Sequence, residues 1–212
     1  MKPFEKIAIL GGTGKSGKYL VERLLADGFQ LKLLLRNPEN FTIKNPLIEL
    51  VSGDARDYES VKSLLKDCQT VISTLGQPKG ETSIFSEATR NVMQAMNHWG
   101  IERYIVTTGL NVDTPADRKG DATQAATDWM KINYPMTTAD KQVEYGLLAA
   151  SSINWTLVRL PMIRQTEQRL LTLVSLEDCP GSTVSATDLA HFLADCLFDS
   201  VHFKTAPFLA NG

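Results

Sequence analysis

A short apolar run, Ile7 to Leu10, leads directly into the glycine-rich segment GGTGKSG at residues 11–17, and an amphipathic stretch follows at once. This order predicts a strand, a tight turn and a helix. The first turn of such a helix presents unpaired backbone N–H groups and the positive end of the helix dipole, which suit a diphosphate. Three glycines permit a tight turn, close approach of phosphates to the backbone and close packing of helix on strand. The segment therefore predicts a dinucleotide-binding site.

The residues around this turn support that interpretation. After the turn, apolar residues recur at the spacing of a helix that lies on a sheet: Leu20, Val21, Leu24 and Leu25. Leu31 to Leu35 then form an apolar run that is typical of a parallel strand covered on both faces. The end of the turn also reads GKS, as in a P-loop, but the position that needs a glycine in a P-loop is Ile9. Dinucleotide binding is therefore favoured over nucleotide triphosphate hydrolysis.

The rest of the chain alternates strand-like and helix-like segments, which predicts a doubly wound α/β fold with a parallel sheet in the strand order 3-2-1-4-5-6. The predicted strands after the first two are Leu47 to Val51, Thr70 to Leu75, Arg103 to Thr107, Trp155 to Leu160 and a seventh, edge strand within Phe203 to Leu209. Helices are predicted at Val61 to Leu65, Ile84 to Trp99 and Gln142 to Ala150, and a capping box at Ser185 predicts one more. Residues 165–176 are apolar but of undetermined type.

The whole chain of 212 residues is expected to form one domain, 1–212, with a lid-like insertion at about 111–136 and a short C-terminal helix and strand. A net charge of −2 provides no basic field for nucleic acid or a membrane surface. The N-terminus leaves no room for a signal peptide, so a cytoplasmic location is expected. The three cysteines and three histidines lack metal-ligand spacing, and we predict no metal site.

This order of motifs resembles the short-chain dehydrogenase/reductase superfamily, in its small NmrA-like branch, over nearly the whole chain. The landmarks are the glycine turn, Arg36-Asn37-Pro38 after the second strand, Gly53-Asp54 after the third, residues 95–108 around the fifth strand, and Pro161 after the sixth. Small flavin and biliverdin reductases and NADP-sensing regulators resemble the same layout. The resemblance implies a nicotinamide coenzyme.

The resemblance also implies which residues bind that coenzyme. Arg36 stands where an acid would bind the ribose hydroxyls of NAD; because a guanidinium can pair with the extra phosphate of NADP, NADP is favoured over NAD. Asp54 is expected at the adenine, with a helix N-cap or a turn as the alternative, and Lys15 is either a second cation for the phosphate or a surface lysine. The remaining predicted coenzyme-binding residues are Gly11, Thr13, Gly14, Ser16, Gly17, Thr74, Leu75, Gly76, Thr107, Lys141, Pro161, Met162 and Ile163. For the side chains of Met162 and Ile163, core packing is the alternative.

The catalytic end departs from the family pattern. Larger relatives pair a tyrosine acid with a lysine four residues later. Here Lys141 has a suitable place, but Thr137 stands four residues before it, and a threonine hydroxyl is too weakly acidic to replace a phenol. Lys141 is expected to hold the nicotinamide ribose, with an exposed lysine as the alternative. Thr108 is either a substrate-binding hydroxyl or an ordinary strand residue. Tyr134 is expected to be buried within the insertion, with an approach to the nicotinamide as the alternative.

These residues favour hydride transfer from NADPH to a small conjugated acceptor such as a flavin or quinone. Solvent can protonate the reduced form of such an acceptor, so that no side-chain acid is needed. The missing tyrosine equally suits a sensor that binds NADP(H) and acts on a protein partner without turnover. Epimerase or dehydratase chemistry on a nucleotide sugar is a third alternative, disfavoured by the short C-terminal part. The small-molecule acceptor itself is not specified by the sequence.

Overall fold

The computed structural model of this chain describes residues 6–78 and 80–212. The helices in this part of the chain are α1 Gly17–Ala26, α2 Tyr58–Leu65, α3 Phe85–Trp99, α4 Asp121–Asn133, α5 Pro135–Ala149 and α6 Ala186–Asp195. The strands are β1 Lys6–Leu10, β2 Gln30–Leu35, β3 Ile48–Ser52, β4 Thr70–Ser73, β5 Arg103–Gly109, β6 Asn154–Leu160, β7 Met162–Arg164, β8 Thr172–Ser175, β9 Thr183–Ser185 and β10 Phe208–Asn211. Single 3-10 turns lie at Pro38–Asn40 and Ser200–His202.

The main sheet has the order β3-β2-β1-β4-β5-β6-β10-β8, and its first seven strands are parallel. The predicted order 3-2-1-4-5-6 is therefore confirmed. β1 lies between β2 and β4, so the chain leaves β1 towards one edge and returns to the opposite side of it at β4. In a doubly wound sheet, this change of direction opens a crevice at the carboxyl ends of the strands. A second, two-stranded parallel sheet pairs β7 with β9.

The predicted seventh strand is present beside β6, but it begins at Phe208 and does not form the edge. The chain already follows β6 from Thr205, where an isolated bridge joins Thr156. Pro207 lacks the N–H that a regular ladder needs, which delays the start of the strand. The edge position is taken by β8, which pairs antiparallel with β10. The segment of undetermined type at 165–176 therefore contains the edge strand.

The core has two layers, one on each face of the sheet, because side chains alternate along each strand. In β1, Ile7 and Ile9 belong to the cluster beneath α1 and α6, whereas Ala8 and Leu10 belong to the cluster beneath α2 and α3. All four side chains are fully buried. The predicted arrangement of helices on both faces is confirmed, and both layers hold the carboxyl ends of the central strands in fixed positions.

The predicted insertion at 111–136 consists of an irregular segment, the helix α4 and the start of α5, which Pro135 opens. Within α4 only Thr123 and Thr127 are buried. Tyr134 was expected to be buried within the insertion, but it is about half exposed and its ring contacts only Trp129 among the described aromatic rings, at 5.7 Å between centroids. The role of the insertion as a lid stays a prediction.

No helix in residues 6–78 and 80–212 combines the length and the apolar character that a membrane crossing requires. The same residues contain no group of three or more His, Cys, Asp or Glu side chains placed to hold a metal ion. Cys68 and Cys196 are buried thiols, and burial raises the pKa of each to about 12.

Candidate functional site

The carboxyl ends of β1, β4, β5 and β6 meet at one edge of the sheet and form two adjoining pockets. The first pocket has a volume of about 180 Å³ and reaches towards the ends of β2 and β3. The second pocket, of about 640 Å³, lies towards the ends of β5 and β6. Residues lining both are Gly14, Thr74, Leu75 and Gly76. The two pockets therefore form one elongated cleft across the point where the strand order reverses.

The structure brings the predicted site residues together along this cleft. Those at the first pocket are Gly11, Thr13, Arg36 and Asp54, in addition to the four shared residues. Those at the second pocket are Lys15, Ser16, Thr107, Thr108, Lys141, Pro161, Met162 and Ile163. Gly17 lines neither pocket, since it is buried as the first residue of α1.

The glycine turn is held tightly against the end of β4. Gly11 has a φ of +80°, and a Cβ there would lie 2.7 Å from the carbonyl carbon of Thr74. A Cβ on Gly17 would overlap the carbonyl oxygen of Gly11. The Gly14 N–H donates to Gly11 O at 2.9 Å, and Thr74 Oγ1 donates to the same oxygen at 3.2 Å. Only glycine fits at positions 11 and 17 without a backbone shift.

The N-terminus of α1 opens onto the cleft without a competing anion. Ser16 is the N-cap residue but makes no side-chain capping bond, and the first turn contains no acidic side chain. The backbone N–H groups of such a turn and the positive end of the helix dipole are favourable partners for a phosphate. A Cβ on Gly76 would meet no atom of residues 6–78 and 80–212 within 4 Å, so the opposite wall also leaves room for a ligand.

Arg36 follows β2 at the rim of the first pocket and has an acidic partner that the sequence did not reveal. Its Nη1 donates to Glu81 Oε1 at 2.7 Å, and Arg56 Nη1 donates to the other oxygen of Glu81 at 3.0 Å. The hydrogen bond from Arg36 is the main cause that lowers the pKa of Glu81. No acid stands near Arg36 in the sequence before Glu39, but the fold supplies one from 45 residues away.

Asp54 lines the first pocket, and its local role is that of a turn residue. Its Oδ1 accepts the backbone N–H of Arg56 at 2.9 Å. The alternative that Asp54 caps the following helix is wrong, because Asp57 is the N-cap and accepts the Ser60 N–H at 2.9 Å. The side chain of Asp54 is about one-third exposed, which leaves it available to a ligand in the pocket.

The two threonines at the end of β5 differ in their hydrogen bonds. Thr107 Oγ1 donates to the carbonyl oxygen of Ser73 at 3.4 Å. Thr108 Oγ1 is buried, and it has no hydrogen-bond partner among residues 6–78 and 80–212. A buried hydroxyl without a partner costs about 1–3 kcal/mol. Since Thr108 lines the second pocket, a ligand there would supply the missing partner.

Lys141 lies on α5 with its ammonium group at the second pocket, not on the surface. Its Nζ is 4.7 Å from the centre of the Phe85 ring, and within the described part of the chain it has no hydrogen-bonded or ion-paired partner. Burial lowers the pKa of Lys141, and the charge of Glu144 partly opposes that effect. No tyrosine is among the residues that line this pocket. Thr137, four residues before Lys141, contacts Gln77 at 3.5 Å.

A buried carboxyl lies one turn beyond Lys141 on the same helix. Glu144 Oε1 accepts a hydrogen bond from Thr89 Oγ1 at 2.8 Å, and Tyr104 Oη is 3.3 Å from the same hydroxyl. The other oxygen, Oε2, has no partner within the described residues. Burial raises the pKa of Glu144 to about 7, while Thr89 and Lys141 act in the opposite direction. The sequence signal was an acid on the stripe of α5 that also carries buried Leu148.

The segment after β6 is positioned by the small sheet. Met162, Ile163 and Arg164 pair with β9, which fixes the wall of the second pocket. Core packing was the alternative role for both apolar side chains. It fails for Met162, which is 72% exposed, whereas Ile163 packs against the core cluster beneath α1 and α6.

Comparison with known proteins gives a match to one protein family. The sequence model of a family described as NAD(P)H-binding matches residues 11–200. An isoflavone reductase homolog A622-like protein from Nicotiana tabacum is 34% identical over 119 residues, which cover 51% of this chain and 36% of that protein. An uncharacterized chloroplastic protein from Arabidopsis thaliana is 26% identical over 166 residues, covering 73% of this chain and 58% of that protein. The chain thus spans less than two thirds of these relatives.

Two solved structures share the fold. A short-chain dehydrogenase/reductase from Veillonella parvula in complex with NADP has a TM-score of 0.82 at 15% identity, with 99% of this chain and 95% of that chain covered. ChuY, an anaerobillin reductase from Escherichia coli O157:H7, has a TM-score of 0.81 at 19% identity, with 97% of each chain covered. At these identities the likeness concerns the fold alone.

Proposed function

The chain belongs to the NAD(P)H-binding family, and from that premise we propose that it is an oxidoreductase that transfers hydride from NADPH to a small conjugated acceptor. One observation carries this proposal: the second pocket holds a hydroxyl, Thr108, without a partner in residues 6–78 and 80–212, and a partly buried ammonium, Lys141, but no phenol among its lining residues. A site of this kind can orient an acceptor and lacks the side-chain acid that reduction of a simple carbonyl requires.

The residues along the cleft fit the coenzyme. The uncapped first turn of α1 and the glycine turn suit the pyrophosphate, Asp54 suits the adenine, and Arg36 suits a phosphate on the adenosine ribose. Thr108 and Lys141 are placed at the opposite end, where the nicotinamide and the acceptor would share the larger pocket. NADPH supplies the hydride when bound, and the protein supplies binding, orientation and exclusion of competing reactions.

The roles of the protein groups follow from their hydrogen-bonding capacity. While charged, Lys141 can only donate hydrogen bonds, so its ammonium can hold a ribose hydroxyl or an electron-rich acceptor atom. The Thr108 hydroxyl can donate to the acceptor or accept from it. Protonation of the reduced acceptor is left to solvent. The names of two relatives, an isoflavone reductase homolog and an anaerobillin reductase, support an acceptor with extended conjugation.

A preference for NADP over NAD is part of the proposal, and Arg36→Ala tests it. We expect NADPH affinity to fall about 10- to 100-fold, as loss of a charge-assisted phosphate contact implies, and NADH affinity to change less than about threefold. Titration of each reduced coenzyme by fluorescence or calorimetry measures both values. Arg36→Lys keeps the charge but not the planar guanidinium, so its affinity for NADPH should lie between those of the wild type and Arg36→Ala. An equal loss for both coenzymes contradicts the preference.

Lys141→Met tests the catalytic end. We expect turnover to fall about 10- to 100-fold, since the substitution removes one preorganised cation from the pocket. The thermal unfolding midpoint should be unchanged or higher, because a partly desolvated ammonium without a paired anion is replaced by an apolar chain of similar length. Lys44→Met, at an exposed lysine, is the matched control. Unchanged kcat, KM and coenzyme affinity in Lys141→Met would contradict a role of Lys141 in binding or catalysis.

The second candidate function is a non-catalytic NADP(H) sensor that acts on a protein partner. The observation that favours it is the same lack of a tyrosine among the residues of the second pocket. A panel of flavins, quinones and aldehydes separates the two functions: a reductase oxidises NADPH with at least one class of acceptor, whereas a sensor binds the coenzyme and leaves it reduced. A cytoplasmic location stays a prediction under either function.

A further inference from the structure

Glu81 joins two arginines at the rim of the first pocket. Arg36 donates to one carboxylate oxygen at 2.7 Å and Arg56 donates to the other at 3.0 Å. Both oxygens of Glu81 therefore have a guanidinium partner, in the geometry that a phosphate would also use. Arg56 was not among the residues predicted from the sequence.

The loop that carries Glu81 is fixed by contacts other than those of its carboxylate. Gln77 Nε2 donates to the backbone oxygens of Pro78 and Glu81, at 3.1 and 2.9 Å. Arg56 Nη2 donates to the Thr82 oxygen at 3.1 Å. Pro78 in this loop and Arg36, the partner of Glu81, both line the first pocket, so the carboxylate lies beside that pocket.

Other charged groups at this rim increase the competition for the arginines. Asp54 Oδ2 is 3.6 Å from Arg56 Nη1, and Glu87 Oε2 is 3.9 Å from Arg56 Nε. Two guanidinium groups thus face three carboxylates. A phosphate group, with a charge of about −1.5 to −2, gains full access to both guanidiniums only after Glu81 has been displaced.

We propose that Glu81 limits the preference of this site for NADP: it competes with the 2′-phosphate of NADP for Arg36 and Arg56, and it accepts a hydrogen bond from the 2′-hydroxyl of NAD. The inference rests on the proposed NAD(P)H-dependent function and deepens it. A carboxylate accepts hydrogen bonds and repels phosphate, so Glu81 favours NAD and disfavours NADP. Arg56 becomes the second guanidinium for the phosphate.

Glu81→Gln tests this assignment by removing the charge while leaving the backbone contacts of the loop. We expect NADPH to bind about 3- to 10-fold more tightly and NADH about 3- to 10-fold more weakly than to the wild type, as suits partly exposed ion pairs. The nucleotide 2′,5′-ADP, which lacks the nicotinamide half, should follow NADPH. All titrations are made at one ionic strength, because exposed pairs are screened by salt. Glu39 is an acid close to Arg36 in sequence, so Glu39→Gln is the matched control. It should change the affinity for neither NADPH nor NADH by more than about twofold.

The possible outcomes distinguish failure of the proposed function from failure of this inference alone. Wild-type protein that binds neither reduced coenzyme overturns the proposed function and this inference together. Wild-type protein that binds NADPH, with the same ratio of NADPH to NADH affinity in Glu81→Gln and Glu81→Ala, overturns the inference alone. Weaker binding of 2′,5′-ADP in the double variant Arg56→Ala, Glu81→Ala than in Glu81→Ala supports the role of Arg56, and equal binding removes it.

Discussion

Arg159→Met is expected to lower the free energy of unfolding by about 3–5 kcal/mol, the cost of breaking a buried ion pair from one side. Arg159 is fully buried, and its guanidinium carbon lies 3.6 Å from the centre of the Phe208 ring. Its hydrogen-bond acceptors are Ala206 O at 2.8 Å, Val112 O at 3.2 Å, Asp117 Oδ1 at 2.5 Å and Leu176 O at 3.0 Å. One side chain on β6 therefore joins the insertion, the end of β8 and the chain that leads into β10.

Methionine fills much of the same volume but donates no hydrogen bond, so the carbonyl groups and Asp117 would lose a buried partner. Asp117 keeps a cation 3.7 Å away at Lys119, which limits the loss. Urea denaturation of both proteins measures the difference. Arg164→Met, at an exposed arginine of β7, is the control and should change stability by less than about 0.5 kcal/mol. A loss below about 1 kcal/mol for Arg159→Met would contradict this account of the buried guanidinium.

Much of the fold could be predicted because its signals are local. The turn at Gly11 to Gly17, the helical stripe after it and the apolar runs of the strands each lie within a few residues of one another. Rules for parallel sheets then give the strand order. The NAD(P)H-binding family that the resemblance implied is confirmed by the family match, and a solved structure described as a short-chain dehydrogenase/reductase has the same fold. The NmrA-like branch stays a prediction. Strands β7 and β9 were missed because three residues carry no readable period.

The candidate site, too, could be predicted only where its signals are local. Residues at strand ends could be predicted to meet, since all parallel strands end at one edge of the sheet. The pairing of Glu81 with Arg36 could not be predicted, because the two residues are 45 positions apart. Glu144 left a signal, its place on the buried stripe of α5, but its partner Thr89 is 55 residues away. The buried network of Arg159 could not be predicted for the same reason, since Ala206 and Asp117 are 47 and 42 residues away from it in the chain.

The buried carboxyl of Glu144 connects the stability of the fold with the pocket that contains Lys141. Burial raises its pKa to about 7 in the folded protein, above the ordinary value of 4.5. In the unfolded chain the carboxyl has its ordinary pKa, so between these values the folded state binds more protons than the unfolded state. The free energy of unfolding therefore decreases as the pH rises through this window, by at most about 3 kcal/mol from this group. Below the window the neutral carboxyl is accommodated without that cost.

Glu144→Gln should abolish this contribution, because glutamine keeps the shape and the acceptor for Thr89 but does not ionise. We expect the variant to be more stable relative to wild type at about pH 8 than at about pH 5, by up to about 3 kcal/mol. Urea denaturation at both pH values measures the difference, and Glu22→Gln, at an exposed acid of α1, should show none. The depressed pKa of Lys141 acts with the opposite sign, since the unfolded chain then binds the proton more readily; repeating the comparison in Lys141→Met separates the two groups. The same difference at both pH values would mean that Glu144 is ionised in the fold throughout, which would require a closer cation than Lys141 provides.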